Sequence, residues 1–442
     1  MPRRYSALHT AMRTAALSTS KDLLEPLLDA RHVELALLEG LSDPEMLGTA
    51  GHFLEPPIWE MGHVGWFQEY WLLRRLDGVD TLLRGSDELY DSFCVPYRQR
   101  WELRFPTRTE TLKYITDVLE RSVTRLGSRE PTAADAYFYT LAAQHEGMHA
   151  ENLTAILQTL GYARPAGLRR RCTASDVAAD FRLHDVSVPG GTFMLGADPD
   201  EPFVFDNEKW AHPVEVAPFR IAATPVTNQD FTAFVDDSGY RRRECWGRRG
   251  WDWRRRQRAE HPLFWQCHEG RWFERRFEML VPLEPWHPVV HVNWYEAEAF
   301  CRWAGRRLPT EAEWEMAATL DPVTRCKRRF PWGDAFPTPE CANLDYHAGG
   351  TLDVRALAAG DSPVGCRQMI GNVWEWVADT FKPYPGFVCD PYKEYSEPHF
   401  GQKKVLKGGC WTTRSRLIRA TWRNFFKAQR RNIFAGFRTA AL

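Results

Sequence analysis

Gln144-His145-Glu146-Gly147-Met148-His149-Ala150-Glu151 lies inside a run, Thr132 to Leu160, that reads as one helix. Apolar residues recur at Phe138, Leu141, Ala142, Met148, Leu153, Ile156, Leu157 and Leu160, and Gly161 is a natural stop. Two histidines four apart on a helix sit one turn above each other, roughly 6 Å along the axis, on one face. His145 and His149 can therefore reach one divalent metal, and the plainer alternative is a histidine pair with no ligand. The string also spells H-E-x-x-H, in which Glu146 would be the general base of a zinc protease. That motif needs a third ligand downstream, and nothing breaks this helix before Gly161 to supply one. The site has to be completed from elsewhere in the chain.

Working outward, the first third of the chain reads as helical. Leu23, Leu24, Leu27, Leu28, Val33, Leu35, Leu37 and Leu38 follow Ser18-Thr19-Ser20, whose hydroxyls suit an N-cap. Pro56-Pro57 opens a second helix, rich in Trp and Phe, that ends at Gly78 and carries His63. A third runs from about Thr109 to Leu126. Four such helices predict a bundle, and bundle cores are where facing helices build metal sites. His63 is the candidate third ligand, with His52 as the fallback. The segment from Leu89 to Trp101, with Tyr90, Arg98 and Arg100, reads as a long connection, where function concentrates.

From Ala163 to Asp185 the composition changes to Pro, Gly and arginine, which predicts a linker. Beyond it, Val186 to Gly196 reads as strand, turn, strand. Helices are expected near Asn228 to Ser238, Tyr295 to Ala304 and Glu311 to Ala318, with Gly-, Trp- and Pro-rich loops between them. Arg241 to Arg258, basic and Trp-bearing, could contact single-stranded nucleic acid but reads as a solvated loop.

Composition narrows the function. Lys+Arg 57 against Asp+Glu 58 gives a net charge of −1, which implies no general attraction to nucleic acid or anionic membrane. No apolar run is long enough for a membrane span, and Met1 to Thr19 lacks the core of a signal peptide. Ten cysteines at irregular spacing, without C-x-x-C, fit reduced thiols and a cytoplasmic setting.

Five strings in the second half, in order, resemble the formylglycine-generating-enzyme family: Val188-Pro189-Gly190-Gly191-Thr192-Phe193, Pro225-Val226-Thr227-Asn228, Arg307 to Glu315, Gly371 to Trp376, and Gly436-Phe437-Arg438. Trp59-Glu60-Met61-Gly62-His63 and Gln144 to Glu151 resemble DinB-type bundles. The pairing resembles the iron-dependent sulfoxide synthases of ergothioneine and ovothiol biosynthesis and their sister, selenoneine synthase. The resemblance implies an α + (α+β) fold: a DinB-like four-helix bundle over 1–165, a linker over 166–184, and a C-type-lectin-like domain over 185–442. It implies Fe(II) on His63, His145 and His149, and O₂-dependent joining of sulfur or selenium to the imidazole C2 of hercynine. Asn424 and Phe425 are then expected at hercynine. Phe426 and Met148 stand where γ-glutamylcysteine-using relatives carry an acid and a Gln, so a selenosugar donor is expected over a thiol. An amino-acid donor would instead lean on Arg98 and Arg100. Tyr384 and Tyr90 are the candidates for the family's proton-donating tyrosine. A cysteine-oxidising enzyme, a zinc protease and a lectin-like binding module are the remaining readings.

Overall fold

The computed structural model describes residues 19–51, 53–166, 177 and 183–442. His52 and nearly all of the expected linker lie outside the described residues. By contacts the chain divides into two compact units. The first holds Met1–Arg169 together with Asp200–Phe203 and Asp390–Glu394; the second holds Arg170–Pro199, Val204–Cys389 and Tyr395–Leu442. No described helix is long and apolar enough to cross a membrane.

The first unit is built on four long helical runs. Ser20–Leu38 starts at Thr19, whose hydroxyl and backbone N–H both meet the Asp22 carboxylate in a capping box. Arg108–Gly127 and Ala133–Leu160 start the same way, with Thr107–Glu110 and Thr132–Asp135. The histidine helix stops at Gly161, whose φ of 72° is left-handed, as the sequence predicts. Pro57–Gln68 is buried along all twelve residues. It continues as a π-helical turn, Glu69–Arg74, that the sequence reading did not anticipate, before ending at Gly78. Two glycines allow its neighbours close. A Cβ on Gly62 would meet the Tyr90 ring at 2.2 Å, and one on Gly65 would meet Ile115 Cγ2 at 2.4 Å. Where a long connection was expected, the chain makes a short helix, Ser86–Tyr90, and a 3₁₀ turn, Gln99–Glu102.

The second unit is mixed α+β with little regular structure per residue. Asp185–Val188 and Gly191–Leu195 are both strands, yet they do not pair with each other. The first joins Phe219–Ala222 in a four-stranded sheet with Ala440–Ala441 and Arg306–Arg307; the second pairs with His212–Val216. A second four-stranded sheet runs Asn424–Phe426, Lys404–Lys407, Trp374–Thr380, Ala435–Gly436. The three expected helices form at Asn228–Asp236, Trp294–Trp303 and Glu311–Thr319. Arg241 to Arg258, expected as a loop, contains the helix Arg248–Gln257, which buries Gly250 and Trp253 and leaves most of its arginines outside.

Three of the quoted strings meet in this core. Glu375 accepts from Trp314 Nε1 at 2.7 Å and from Arg438 through both oxygens at 2.7 Å, all three side chains being buried. The pairs Arg423–Glu311, Arg419–Glu208 and Lys407–Glu315 are buried likewise. Each of these four cations is matched by a carboxylate, which is the condition for a charge to be tolerated there.

Candidate metal centre

His63, from Pro57–Gln68, meets His145 and His149 from the histidine helix. Ring centroids are 5.1, 4.6 and 4.4 Å apart, and one ligand atom from each ring lies within 4.8 Å of the others. Burial pulls the pKa of all three well below the usual imidazole range, His149 to about 3. For His63 and His145 the neighbouring imidazoles add to the effect; for His149 the next contributor is Arg100. Neutral imidazoles are the form that ligates a metal. His63 and His145 are 1% and 2% exposed, while the His149 side chain is 20% exposed, so the cluster opens on the His149 side.

The second layer differs at each ring. His63 Nδ1 bonds the Tyr90 carbonyl oxygen at 2.7 Å, and His149 Nδ1 bonds Glu60 Oε2 at 2.6 Å, which leaves Nε2 of both toward the cluster. His145 Nδ1 is buried without a hydrogen-bond partner, and its ring lies flat on Phe67 at 3.5 Å. Trp59 stacks on His63 at 4.5 Å. Three convergent neutral imidazoles, no carboxylate in the set and one orphaned ring nitrogen fit a divalent metal ion with open positions.

A buried chain of contacts links two of the rings. The Arg100 guanidinium lies 3.9 Å from the Trp59 ring, pairs with Glu55, and donates to the carbonyls of Val95 and Ser92. Glu55 also accepts from Asn152 at 3.3 Å, and Asn152 donates to Glu60 Oε1 at 2.7 Å. His63, Trp59, Arg100, Glu55, Asn152, Glu60 and His149 thus form one connected path.

The structure places the other expected residues as follows. Arg100 is buried and fully engaged as above, whereas Arg98 is exposed. Met148 is half-buried beside His149. Tyr90 offers its carbonyl to His63; its hydroxyl is buried, and burial pushes it up to about 12. Tyr384 belongs to the second unit, where its hydroxyl donates to Glu311 and Arg423 covers its ring at 4.0 Å. Asn424, Phe425 and Phe426 form an edge strand, paired with Lys404–Lys407, of the four-stranded sheet that contains Trp374–Thr380. The Phe425 ring stacks on Phe381 at 4.1 Å and has Lys403 Nζ 4.9 Å from its centre.

Tyr392 was not anticipated. It belongs to the first unit, edge-on to Phe67 at 5.1 Å, Trp71 at 6.1 Å and His145 at 6.1 Å. Burial and the carboxylates Glu394 and Asp91 push its hydroxyl well above the ordinary phenol range, so it keeps its proton at neutral pH. The available signal was the tyrosine-rich loop from Tyr384 to Tyr395, from which only Tyr384 was selected.

Glu146 is turned away from the cluster. It is fully buried and accepts from Arg31 Nε at 2.6 Å and from Gln68, so its carboxylate is committed to those partners, which disfavours the base role of a zinc protease. Burial lifts the Cys366 thiol to about 11, which argues against an activated thiolate there.

Comparison with known proteins finds two domain families along the chain. The DinB superfamily model matches residues 27–153, and the sulfatase-modifying factor enzyme 1-like domain model matches residues 175–441. The hercynine oxygenase of Mycolicibacterium thermoresistibile is 38% identical over 438 residues, covering 97% of this chain and 96% of that protein. The chain belongs to the hercynine oxygenase family. It is an oxidoreductase of that family, and the Mycobacterium tuberculosis hercynine oxygenase is 37% identical over 429 residues, covering 96% of this chain and 99% of its own. The formylglycine-generating enzyme of Thermomonospora curvata is 32% identical over 268 residues, which is 51% of this chain and 82% of that enzyme.

Proposed function

We propose that this hercynine oxygenase family member joins selenium, from a selenosugar, to the imidazole C2 of hercynine in an Fe(II)- and O₂-dependent reaction. The observation that carries it is the cluster His63–His145–His149 in a chain that matches hercynine oxygenases almost end to end. Fe(II), when bound there, supplies the redox chemistry that lets O₂ act as the oxidant. Balance fixes the overall change. Hercynine loses its C2–H, the donor loses its Se–H, and O₂ delivers one oxygen to the selenium and the other to water. That is a four-electron oxidation.

The residues around the cluster have definable parts. Glu60 and the Tyr90 carbonyl hold two rings in the tautomer that presents Nε2. Phe67, Trp59 and Trp71 exclude water from the inner side. Tyr392, protonated at neutral pH and edge-on to His145, is the proton donor in this reading. A selenosugar donor is favoured because Arg100 is already committed to Glu55, and Met148 and Phe426 offer no polar group to an amino-acid head. Arg98, exposed and without an ion pair among the described residues, favours the second reading, a sulfoxide synthase using cysteine or γ-glutamylcysteine. Ten irregularly spaced cysteines without C-x-x-C fit a cytoplasmic setting for either.

Product mass spectrometry tests this. Protein loaded anaerobically with Fe(II) would receive O₂, hercynine and, in parallel, a 1-selenosugar, cysteine or γ-glutamylcysteine. A selenium-bearing hercynine adduct is expected; a sulfoxide from a thiol alone moves the assignment to ergothioneine synthesis, and no adduct at all removes it. Tyr392→Phe should lower the rate of adduct formation by about 10²- to 10⁴-fold while leaving hercynine affinity within two-fold, the size of a lost proton donor. An unchanged rate would exclude Tyr392 from that role.

A further inference from the structure

Arg241 to Arg258 lies outside the histidine cluster and its hydrogen-bond partners. It holds nine arginines, no lysine and two carboxylates, a local charge of +7 in a chain whose total is −1. Its helix, Arg248–Gln257, is firmly anchored. Trp253 is buried with the Arg431 guanidinium 5.3 Å from its ring centre, and Trp246 Nε1 donates to the Gly239 carbonyl at 2.9 Å. Gly250 lies so close to the helix Trp294–Trp303 that a Cβ there would meet Tyr295 at 3.1 Å.

The arginines divide into two sets. Arg241 and Arg254 pair with Glu260, and Arg242 pairs with Asp237 and Glu244. Arg248, Arg249, Arg255, Arg256 and Arg258 are exposed, and among the described residues their side chains make no ion pair or hydrogen bond. Arg248 and Arg255 are two turns apart, as are Arg249 and Arg256, about 10.5 Å in each case, so the four form a double row on the outer face. Arg248 and Arg249 open the helix behind Gly247, which supplies no side-chain cap. Cations are disfavoured at that end of a helix, so the stability of the helix does not call for them there.

The surroundings narrow what this face can meet. Residues 1–18 carry three arginines and no carboxylate, so they bring it no counter-charge. The Trp251 ring already has the guanidinia of Arg243 and Arg254 each 5.6 Å from its centre, and Trp246 and Trp253 are buried, which leaves little ring surface for stacking bases. Asp252, exposed on the same side as the double row, would repel a continuous phosphate backbone. Among the described residues of 241–260 no large apolar side chain is exposed to enter a bilayer. Guanidinium groups grip carboxylates through two parallel hydrogen bonds, which an ammonium cannot do, and arginine is prominent among the residues that dominate protein interfaces.

We infer that the outer face of Arg248–Gln257 is a docking surface for an acidic polypeptide segment of another protein, whose Asp and Glu side chains pair with Arg248, Arg249, Arg255 and Arg256.

Fluorescence anisotropy with the full chain tests this, using labelled deca-glutamate as the probe and deca-uridylate and phosphatidylserine vesicles as rivals. Saturable binding of deca-glutamate is expected, and replacing all four arginines by Gln should weaken it by about ten-fold or more, the scale of a charge-assisted hydrogen bond. Replacing the same four by Lys keeps the charge and loses the fork. That variant should bind deca-glutamate about three-fold or more weaker, yet hold deca-uridylate within about two-fold, since nucleic-acid binding follows charge and counterion release. The four side chains are exposed and two stand at the unfavourable end of the helix, so the Gln variant should melt no lower than the parent. If it does melt lower, Arg248→Gln with Arg249→Gln alone carries the test. A parent that does not bind deca-glutamate overturns the inference, as does a folded Gln variant that binds it like the parent. A Lys variant with parent-like affinity reduces the surface to charge alone and overturns the carboxylate assignment. Deca-uridylate or vesicles held ten-fold tighter than deca-glutamate would overturn the class of partner.

Discussion

Glu34 is fully buried on Ser20–Leu38, and neither carboxyl oxygen has a hydrogen-bond partner among the described residues. Burial raises its pKa well above the carboxylate range; the charges of Glu146 and Glu60 add to this, and Arg31 opposes it. The folded state therefore holds this proton where the unfolded chain, near 4.5, has released it. Stability from Glu34 is complete below about pH 4.5 and is lost as pH rises through the raised value. Glu34→Gln cannot ionise, so its advantage should grow with pH. Thermal melts of the metal-free protein should show the variant gaining stability over the parent as the pH is raised from 5 to 8. A difference that stays flat between those pH values would mean that Glu34 is ionised in the folded protein or solvated by water.

Between elements, the path from His63 to His149 crosses from Pro57–Gln68 through the 3₁₀ turn Gln99–Glu102 to the histidine helix and back. Glu55 touches neither histidine, yet it joins Arg100, beneath Trp59, to Asn152, beside Glu60. Second-layer contacts of this kind typically alter metal affinity by about 10- to 100-fold. Glu55→Gln and Asn152→Ala should each weaken Co(II) binding on that scale and shift its absorption bands. The double variant should be scarcely worse than either single one, because both cut one path; strictly additive effects would show two independent contributions. The same path shows what sequence can and cannot deliver. The histidine helix is legible because its period and its terminal glycine agree, and His63 stands out on an aromatic helix. Arg100 reads from the sequence as a ligand for an amino-acid donor; its partner Glu55 is remote in sequence, and no local pattern reports a long-range ion pair. Arg248–Gln257 reads as a loop from its charge, yet arginine's good helix propensity and the burial of Trp253 make it a helix.

At the scale of the molecule, the helical unit is not made by the first part of the chain alone. Asp200–Phe203 and Asp390–Glu394 return to it, bringing Phe203 to 5.6 Å from Tyr137 and Tyr392 against Phe67, Trp71 and His145. These two short segments explain why the proton-donor candidate escaped notice: a tyrosine that completes a site through chain return has no helical period and no motif spacing to announce it. They also make the boundary testable. A fragment ending at Ala166 keeps all three histidines and all four long helices but loses both returning aromatics. Removing two partly buried aromatic contacts should cost about 2–5 kcal/mol, at roughly 1.5–3 kcal/mol for each side chain fully buried. For a unit of this size that lowers the midpoint by several degrees or more, at about 2–4 °C per kcal/mol. The fragment should therefore melt below the helical transition of the full chain, bind a hydrophobic dye through the uncovered faces of Phe67 and Trp71, and give a Co(II) spectrum altered at the His145 side. A fragment that matches the full chain in all three would show that Phe203 and Tyr392 rest on a unit that is already complete, and Tyr392 would then act on the substrate without supporting the site.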